Sequence, residues 1–355
     1  MTAPLVSIVV PTYNMGRLIG RTLRSYLAQT ERDLEIIISD NASSDDTAEV
    51  VAGFTDPRVR YVRNASNLGM INNFNAALKL ARGQFLTYVA ADEFALGDKS
   101  LERRLALFRG DPEVDFVWCG YDFEHEGEGG KIYAYDLKWP EGPVLPAGEA
   151  LAFLLTRANV TNPRITTVLF RCEILAALDY KIPLVHGGDQ LVSATWLMHS
   201  RKAAYVRDTL HRSYIHESHS HELYGRKLPY IGEGPLLMCR FLDEWRPRLI
   251  AMRFPIVRAE FVQLWRLARL IVWMPDFEFD NFWHYTSFFA RRSVRLALFC
   301  AWAPPCWLAW AVLRVFRLPY WWARRQLARV PLARRIYARL RGRDLASGAT
   351  KIIPR

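Results

Sequence analysis

Acidic side chains at three separated places in the chain could do chemistry together. Asp92 and Glu93 end the apolar, β-prone run "GQFLTYVA". That puts them at or just past the carboxyl end of a strand, where open α/β sheets bind ligands. Asp40 ends "LEIIIS" and opens the polar loop "SDNASSDDT", while Tyr13 lies in "PTYN" after "LVSIVV". If those two strands are neighbours, a carboxylate that accepts a base N–H stands beside a ring that can stack on the base. The alternative is that Asp40 and Asn41 only close a capped turn. Asp189 follows two glycines and opens "DQLVSATWLMH". An acid there either moves a proton or only complements the helix dipole.

These residues need a scaffold that brings strand ends together, and the chain supplies one. "LVSIVVP" is strand-like, and Leu18, Ile19, Leu23, Tyr26 and Leu27 then recur at helical spacing. "LEIIIS" is a second strand, followed by Ser43 or Ser44 as a helix cap and acids in the first turn of "DDTAEVVAGF". "VRYVR", the helical "MINNFNAALKLA" ended by Gly83, and the run leading to Asp92 complete the alternation. The expected class is α/β, a doubly wound, mostly parallel sheet with helices on both faces. Further on, the pattern predicts strands at "VDFVWCGYDF", "TTVLF", "AAYV" and "LHRSYI", and a helix from Asp189. The Gly-rich acidic "EHEGEGGK" lacks the Lys-Ser/Thr ending of a phosphate loop and reads as a hairpin connection.

Four segments in order, "VSIVVPTYN", "EIIISDNASSDDT", "NLGMINNFNAAL" and "GQFLTYVAADEF", resemble the nucleotide-sugar half of the family 2 glycosyltransferases, which have the GT-A fold. The resemblance implies inverting transfer of a sugar from a nucleotide diphosphate, a uridine one or similar, to an acceptor hydroxyl. It implies a nucleotide site at Pro11, Tyr13, Asp40, Asn67, Asn73 and Ala91, and it matches Asp92 to the last acid of the family's Asp-x-Asp. Ala90 stands where the first acid often is, so the Mg²⁺ or Mn²⁺ site is expected to rest on Asp92, with Glu93 and His216 as further candidates and donor oxygens and water completing it. Asp189 matches the catalytic carboxylate, in a Gly-Asp rather than a Glu-Asp pair. Asn67 serves equally as a helix-entry residue. The cluster His211, His216, His219 and His221 has neither the cysteines nor the paired spacing of a zinc site. The rival function is a nucleotide-sugar-binding partner without turnover, which would have no use for Asp189.

The 355-residue chain carries net charge +11, but the excess is local: Arg291 to Arg343 holds 13 arginines and no acid. A general nucleic-acid surface is therefore not expected. The domains expected are 1–221, catalytic, and 222–355, helical and membrane-associating. Within the latter, 18 uncharged residues at 296–313 are broken by Pro304-Pro305 and flanked by tryptophans and arginines. That suits a shallow re-entrant or in-plane segment on an anionic membrane, or a helical subdomain packed on the core. The N-terminus lacks a basic signal region and the five cysteines show no paired spacing. The chain is thus expected at the cytoplasmic face of the cell membrane, monotopic, meeting a glycan or polyprenyl-linked acceptor.

Overall fold

The computed structural model describes residues 3–126, 131–135, 139, 143–157, 164–178, 189–216, 229–260, 262, 263 and 266. Met1–Leu267 form one compact unit and Ala268–Arg355 another. The 296–313 segment, His219 and His221 lie outside the described residues.

The strands are β1 (Val6–Thr12), β2 (Leu34–Asp40), β3 (Val59–Arg63), β4 (Phe85–Tyr88), β5 (Glu93–Ala95), β6 (Val114–His125), β7 (Lys131–Tyr135), β8 (Val144–Pro146), β9 (Leu169–Arg171) and β10 (Lys202–Ile215). The helices are α1 (Gly16–Leu27), α2 (Thr47–Ala52), α3 (Met70–Leu78), α4 (Ser100–Gly110), α5 (Ala147–Leu155), α6 (Glu173–Ala177), α7 (Asp189–Met198), α8 (Pro229–Glu244) and α9 (Arg246–Ala251). The first strands are apolar almost throughout because both of their faces are covered. Val6, Ile8, Val10, Ile36 and Ile38 join Leu23 of α1 and Leu105 of α4 in one core cluster. Val9 and Ile37 point the other way, into a second cluster with Phe74 of α3 and Trp196 of α7.

The sheet runs β3-β2-β1-β4-β9-β6-β10-β5, with β7 beside β6 and β8 beside β10. β3, β2, β1 and β4 are parallel, as the strand–helix alternation requires. Beyond β4 the sheet is mixed. β9 is antiparallel to both β4 and β6, β10 is parallel to β6, and β5 is antiparallel to β10. β7 returns on β6 after a short connection, which allows only antiparallel pairing, whereas β5 pairs with β10, more than a hundred residues further along the chain. The acidic glycine loop does join a hairpin, since β6 and β7 pair from Tyr121↔Tyr135 to His125↔Lys131. "AAYV" and "LHRSYI" are one strand, β10, interrupted by register shifts between Val206 and His211.

The first unit extends past residue 222, the start of the second domain expected from the sequence. Met238, Phe241 and Leu242 of α8 and Leu249 of α9 are buried in the second core cluster, so α8 and α9 share the core that holds α3 and α7. Among the described residues, no helix is long and apolar enough to cross a membrane.

Candidate active site

Strand order places the site. β2 and β3 lie on one side of β1 and β4 on the other, so the order reverses between β1 and β4, and a crevice opens at their carboxyl ends. Along β1, β4 pairs with Val6–Val9, and Pro11 lies beyond that ladder, on the same side of β1 as Val9, whose carbonyl accepts from Val89. The missing Pro11 N–H therefore faces the crevice and leaves no ladder bond unmade.

On the β2 side, Asp40 is wholly buried and encircled. Its Oδ1 accepts from the Ser43 amide at 2.9 Å and hydroxyl at 2.5 Å; its Oδ2 accepts from Arg63 at 3.0 Å and from the Tyr61 hydroxyl. Both oxygens are engaged by the chain, so a base N–H would have to displace Tyr61 or Arg63. The capped-turn alternative describes this loop as it stands. Ser43 and Ser44 do not cap α2, which starts at Thr47: the Ser43 hydroxyl accepts from the Asn14 amide, and the Ser44 amide donates to the Asn14 side chain. This ties the β1–α1 and β2–α2 loops together. Tyr13, directly after the Thr12 that pairs with Asp40, is 45% exposed and open to stacking.

Asn67 and Asn73 belong to an amide network. Asn73 accepts from the Ser39 hydroxyl at 2.7 Å and from Asn64 at 2.8 Å, and donates to the Ser39 carbonyl. Asn67 accepts from Asn41 at 2.7 Å and from the Gly69 amide at 2.8 Å. In the structure these two amides brace the approach to α3 against the end of β2.

The acids after β4 are held differently. The Glu93 amide donates to the Ala90 carbonyl, turning the chain, and the Thr22 hydroxyl of α1 lies 2.8 Å from the Ala91 carbonyl and 2.7 Å from that of Glu93. Ala91 therefore contributes its backbone to the turn that presents Asp92. Asp92 and His216, far apart in sequence, are brought together, both buried, with Oδ2 and Nε2 3.3 Å apart. One carboxylate and one imidazole are donors that Mn²⁺ or Mg²⁺ accepts. Among the described residues no group of three metal-binding side chains forms, so any cation here takes its other ligands from elsewhere.

Glu93 is no metal candidate. It is fully buried and spends its oxygens on Arg164 at 2.9 Å, Ser213 at 2.6 Å and His211 at 3.1 Å. Burial alone would raise its carboxyl, but Arg164, His211 and Ser213 outweigh that and hold it well below the usual range. Asp189, the first residue of α7, moves the opposite way: burial raises it, Arg164 opposes and Glu93 adds to the rise. Two carboxyls in one electrostatic neighbourhood are thus driven apart, the pattern that separates an ionised partner from a proton-transferring one.

Two groups report the convergence of the acids. Burial lowers the charge preference of Arg164, but Glu93, Asp189, Tyr121 and Asp92 together keep it firmly protonated. Burial, then Glu93, Asp92 and Asp189, pushes the Tyr88 phenol far above its ordinary value. Arg164 also lies 5.1 Å from the Phe123 ring, and its Nε is buried without a hydrogen-bond partner. Sequence reading missed Arg164, because "TNPRITT" has no periodicity and the residue is joined to Glu93 only by the fold. His211 and Ser213 were visible as part of a histidine-rich stretch, and the β5–β10 register, Ser213↔Glu93, is what gives them a role.

The family profile "Glycosyl transferase family 2" matches residues 7–176. The chain is 31% identical over 118 residues to the UDP-Glc:alpha-D-GlcNAc-diphosphoundecaprenol beta-1,3-glucosyltransferase WfgD of Escherichia coli, covering 33% of this chain and 46% of that one. It is 29% identical over 192 residues to the putative colanic acid biosynthesis glycosyl transferase WcaA of Escherichia coli K12, covering 50% and 64%. The matches thus span about half to two thirds of these relatives' length. Among solved structures, Staphylococcus aureus TarS 1–349 in complex with UDP-GlcNAc superposes with a TM-score of 0.59 at 17% identity, over 82% of each chain. With a sheet that changes strand order beside Asp92 and a profile match over the segments that build β1 to β9, residues 7–176 match glycosyl transferase family 2, and the fold is GT-A-like.

Proposed function

We propose that the protein transfers a sugar from a nucleotide diphosphate, a uridine one by preference, to a hydroxyl of a glycan or lipid-linked acceptor, with inversion, in bacterial cell-surface polysaccharide or glycolipid assembly. The names of WfgD and WcaA and the UDP-GlcNAc bound by TarS support the substrate classes. The observation that carries the reading is the neighbourhood of Asp189: an acid without a hydrogen-bond donor among the described residues, raised by burial, within electrostatic reach of Arg164 and Tyr88, which also sense Asp92.

Asp189 takes the acceptor hydroxyl's proton as that oxygen attacks the anomeric carbon, and a single displacement inverts the centre. Tyr13 stacks on the base, the Asp40 loop shapes the nucleotide end, and Asp92 with His216 stands at the diphosphate. A divalent cation held by Asp92 and His216 would neutralise charge on the departing diphosphate. Glu93 stays ionised, fixing Arg164 and the Asp92 turn.

The missing acid at Ala90 keeps one rival alive, a nucleotide-sugar-binding subunit without turnover. A thermal-shift screen of nucleotide diphosphates and their sugars, with and without Mn²⁺, separates donor binding from catalysis when paired with Asp189→Asn. Transfer lost with donor binding kept supports the enzyme; a wild-type chain that binds donor but transfers nothing to any acceptor favours the rival. For the Arg/Trp-rich region from 290 onwards we keep the membrane-surface reading, at the cytoplasmic face. Deleting residues 290–355 is expected to release the protein from anionic vesicles.

A further inference from the structure

Away from the cleft, the surface after α8 has features that the transfer chemistry does not use. Ile250, Met252 and Val257 are 61%, 40% and 53% exposed within one short stretch. Ile250 and Val257 line a shallow groove floored by the buried Phe254 and Ile256 and flanked by Arg258. The backbone produces this arrangement. Arg253 adopts the left-handed conformation, φ 54°, and the Phe254 amide then donates to the Leu249 carbonyl at 2.9 Å. Phe254 is thereby turned inward and Val257 left outside. From Trp245 to Ala259 the sequence holds four arginines and no acid. Arg246 is paired with Glu260 at 2.5 Å, whereas Arg248, Arg253 and Arg258 are exposed and have no acidic partner among the described residues.

We propose that this surface, Ile250 to Arg258 with Arg248, seats the catalytic unit on an anionic lipid bilayer. The three apolar side chains enter the headgroup boundary and the three arginines meet lipid phosphates. An apolar centre ringed by cations that have no acidic partner among the described residues matches a partner that is negative at its surface and apolar just below it. Nucleic acid offers phosphates without that apolar layer, and a second copy docking the same face would set arginine against arginine. The inference deepens the membrane reading above but rests on residues of the first unit, not on the C-terminal region.

The full-length chain is sedimented with vesicles of phosphatidylglycerol and phosphatidylcholine, and with phosphatidylcholine alone. Ile250→Glu with Val257→Glu is expected to weaken partition on the anionic vesicles roughly tenfold or more. Arg248→Gln, Arg253→Gln and Arg258→Gln together should weaken it by about fivefold per arginine. Because these side chains are exposed, the melting temperature should not move. Wild-type partition by both sets of variants overturns the proposal, even if deleting 268–355 abolishes binding; so does equal binding of the wild type to neutral and anionic vesicles. Donor binding by the same variants should match the wild type. A wild type that itself fails to bind donor would end the transferase reading while leaving the partition result to decide this one.

Discussion

The loop organised by Asp40 and the start of α7 at Asp189 each hold a carboxylate, wholly buried in the first and partly buried in the second, and they treat it oppositely. Asp40 receives four donors on two oxygens, from Ser43, Tyr61 and Arg63. Asp189 has no hydrogen-bond donor among the described residues, and its nearest compensation, Arg164, is already bonded to Glu93. A carboxylate saturated with donors fixes the shape of a loop; one deprived of them stays basic. The first arrangement frames a ligand and the second can accept a proton.

The largest effect expected is on Asp189. Asp189→Asn should lower transfer on the order of 10³-fold while donor affinity, followed by calorimetry, stays near wild type. Its stability should also change with a definite sign. The Asp189 carboxyl is raised in the folded state, so the wild type loses stability as pH rises from the ordinary aspartate value through the folded one. The asparagine variant escapes that loss and should resist urea better than wild type at pH 8, but not at pH 3. A variant that melts early and loses donor would show Asp189 to be a shape-fixing acid like Asp40.

Arg164→Gln comes next, because it strands Glu93 as a buried, ionised carboxylate. A loss of about 3 kcal/mol in urea unfolding at pH 7 is expected. Glu93 is depressed, so the stability its partners confer is present above the unfolded glutamate value of about 4.3 and fades as pH falls below it. The gap between wild type and variant should therefore narrow at acid pH. Removing the cation also raises Asp189 further, so the acidic limb of the pH–rate profile should move to higher pH. A profile that does not move would mean that Arg164 braces Glu93 alone.

Asp40→Asn should be milder in the fold, about 2 kcal/mol from lost charge-assisted bonds, with weaker donor binding following from the loosened loop. If it spared stability and abolished only base selectivity, the four donors seen on Asp40 would be the resting arrangement of a group that reads the base directly.

Sequence showed the strand ends well and the pairings among side chains poorly. The alternation of β1, β2 and their helices, the hairpin after β6 and the placement of Asp92 at a strand end all follow from local pattern. The partners of Glu93 do not. Arg164, His211 and Ser213 lie far along the chain, and only the β5–β10 register and the reversal after β4 bring them in. Asn67 and Asn73 show the opposite limit. Their identity fitted a donor site, yet an amide donates and accepts equally well to protein, and the fold supplies Ser39, Asn41 and Asn64 at bonding distance. The mixed half of the sheet was hidden because the three residues of β5 are too few for a period to register, and because the strand pattern at β9 carries no sign of its direction against β4 and β6.

The smallest effect tests how completely the Asp40 loop is settled. Ala42, between Asn41 and Ser43, has φ 61°, a left-handed conformation in which a Cβ is strained. Glycine removes that strain, though its freer unfolded chain returns part of the gain. Ala42→Gly should therefore stabilise by only about 0.5 kcal/mol, read as a small rise in the urea midpoint with an unchanged slope. The loop is already pinned by the bonds to Asp40 and by those between Asn14 and both Ser43 and Ser44, so donor affinity should hold. Stability up and affinity down together would reveal that the alanine's strain holds the loop in its ligand-ready shape. That would make this loop, like the Asp189 pocket, a place where unfavourable local energy serves the ligand.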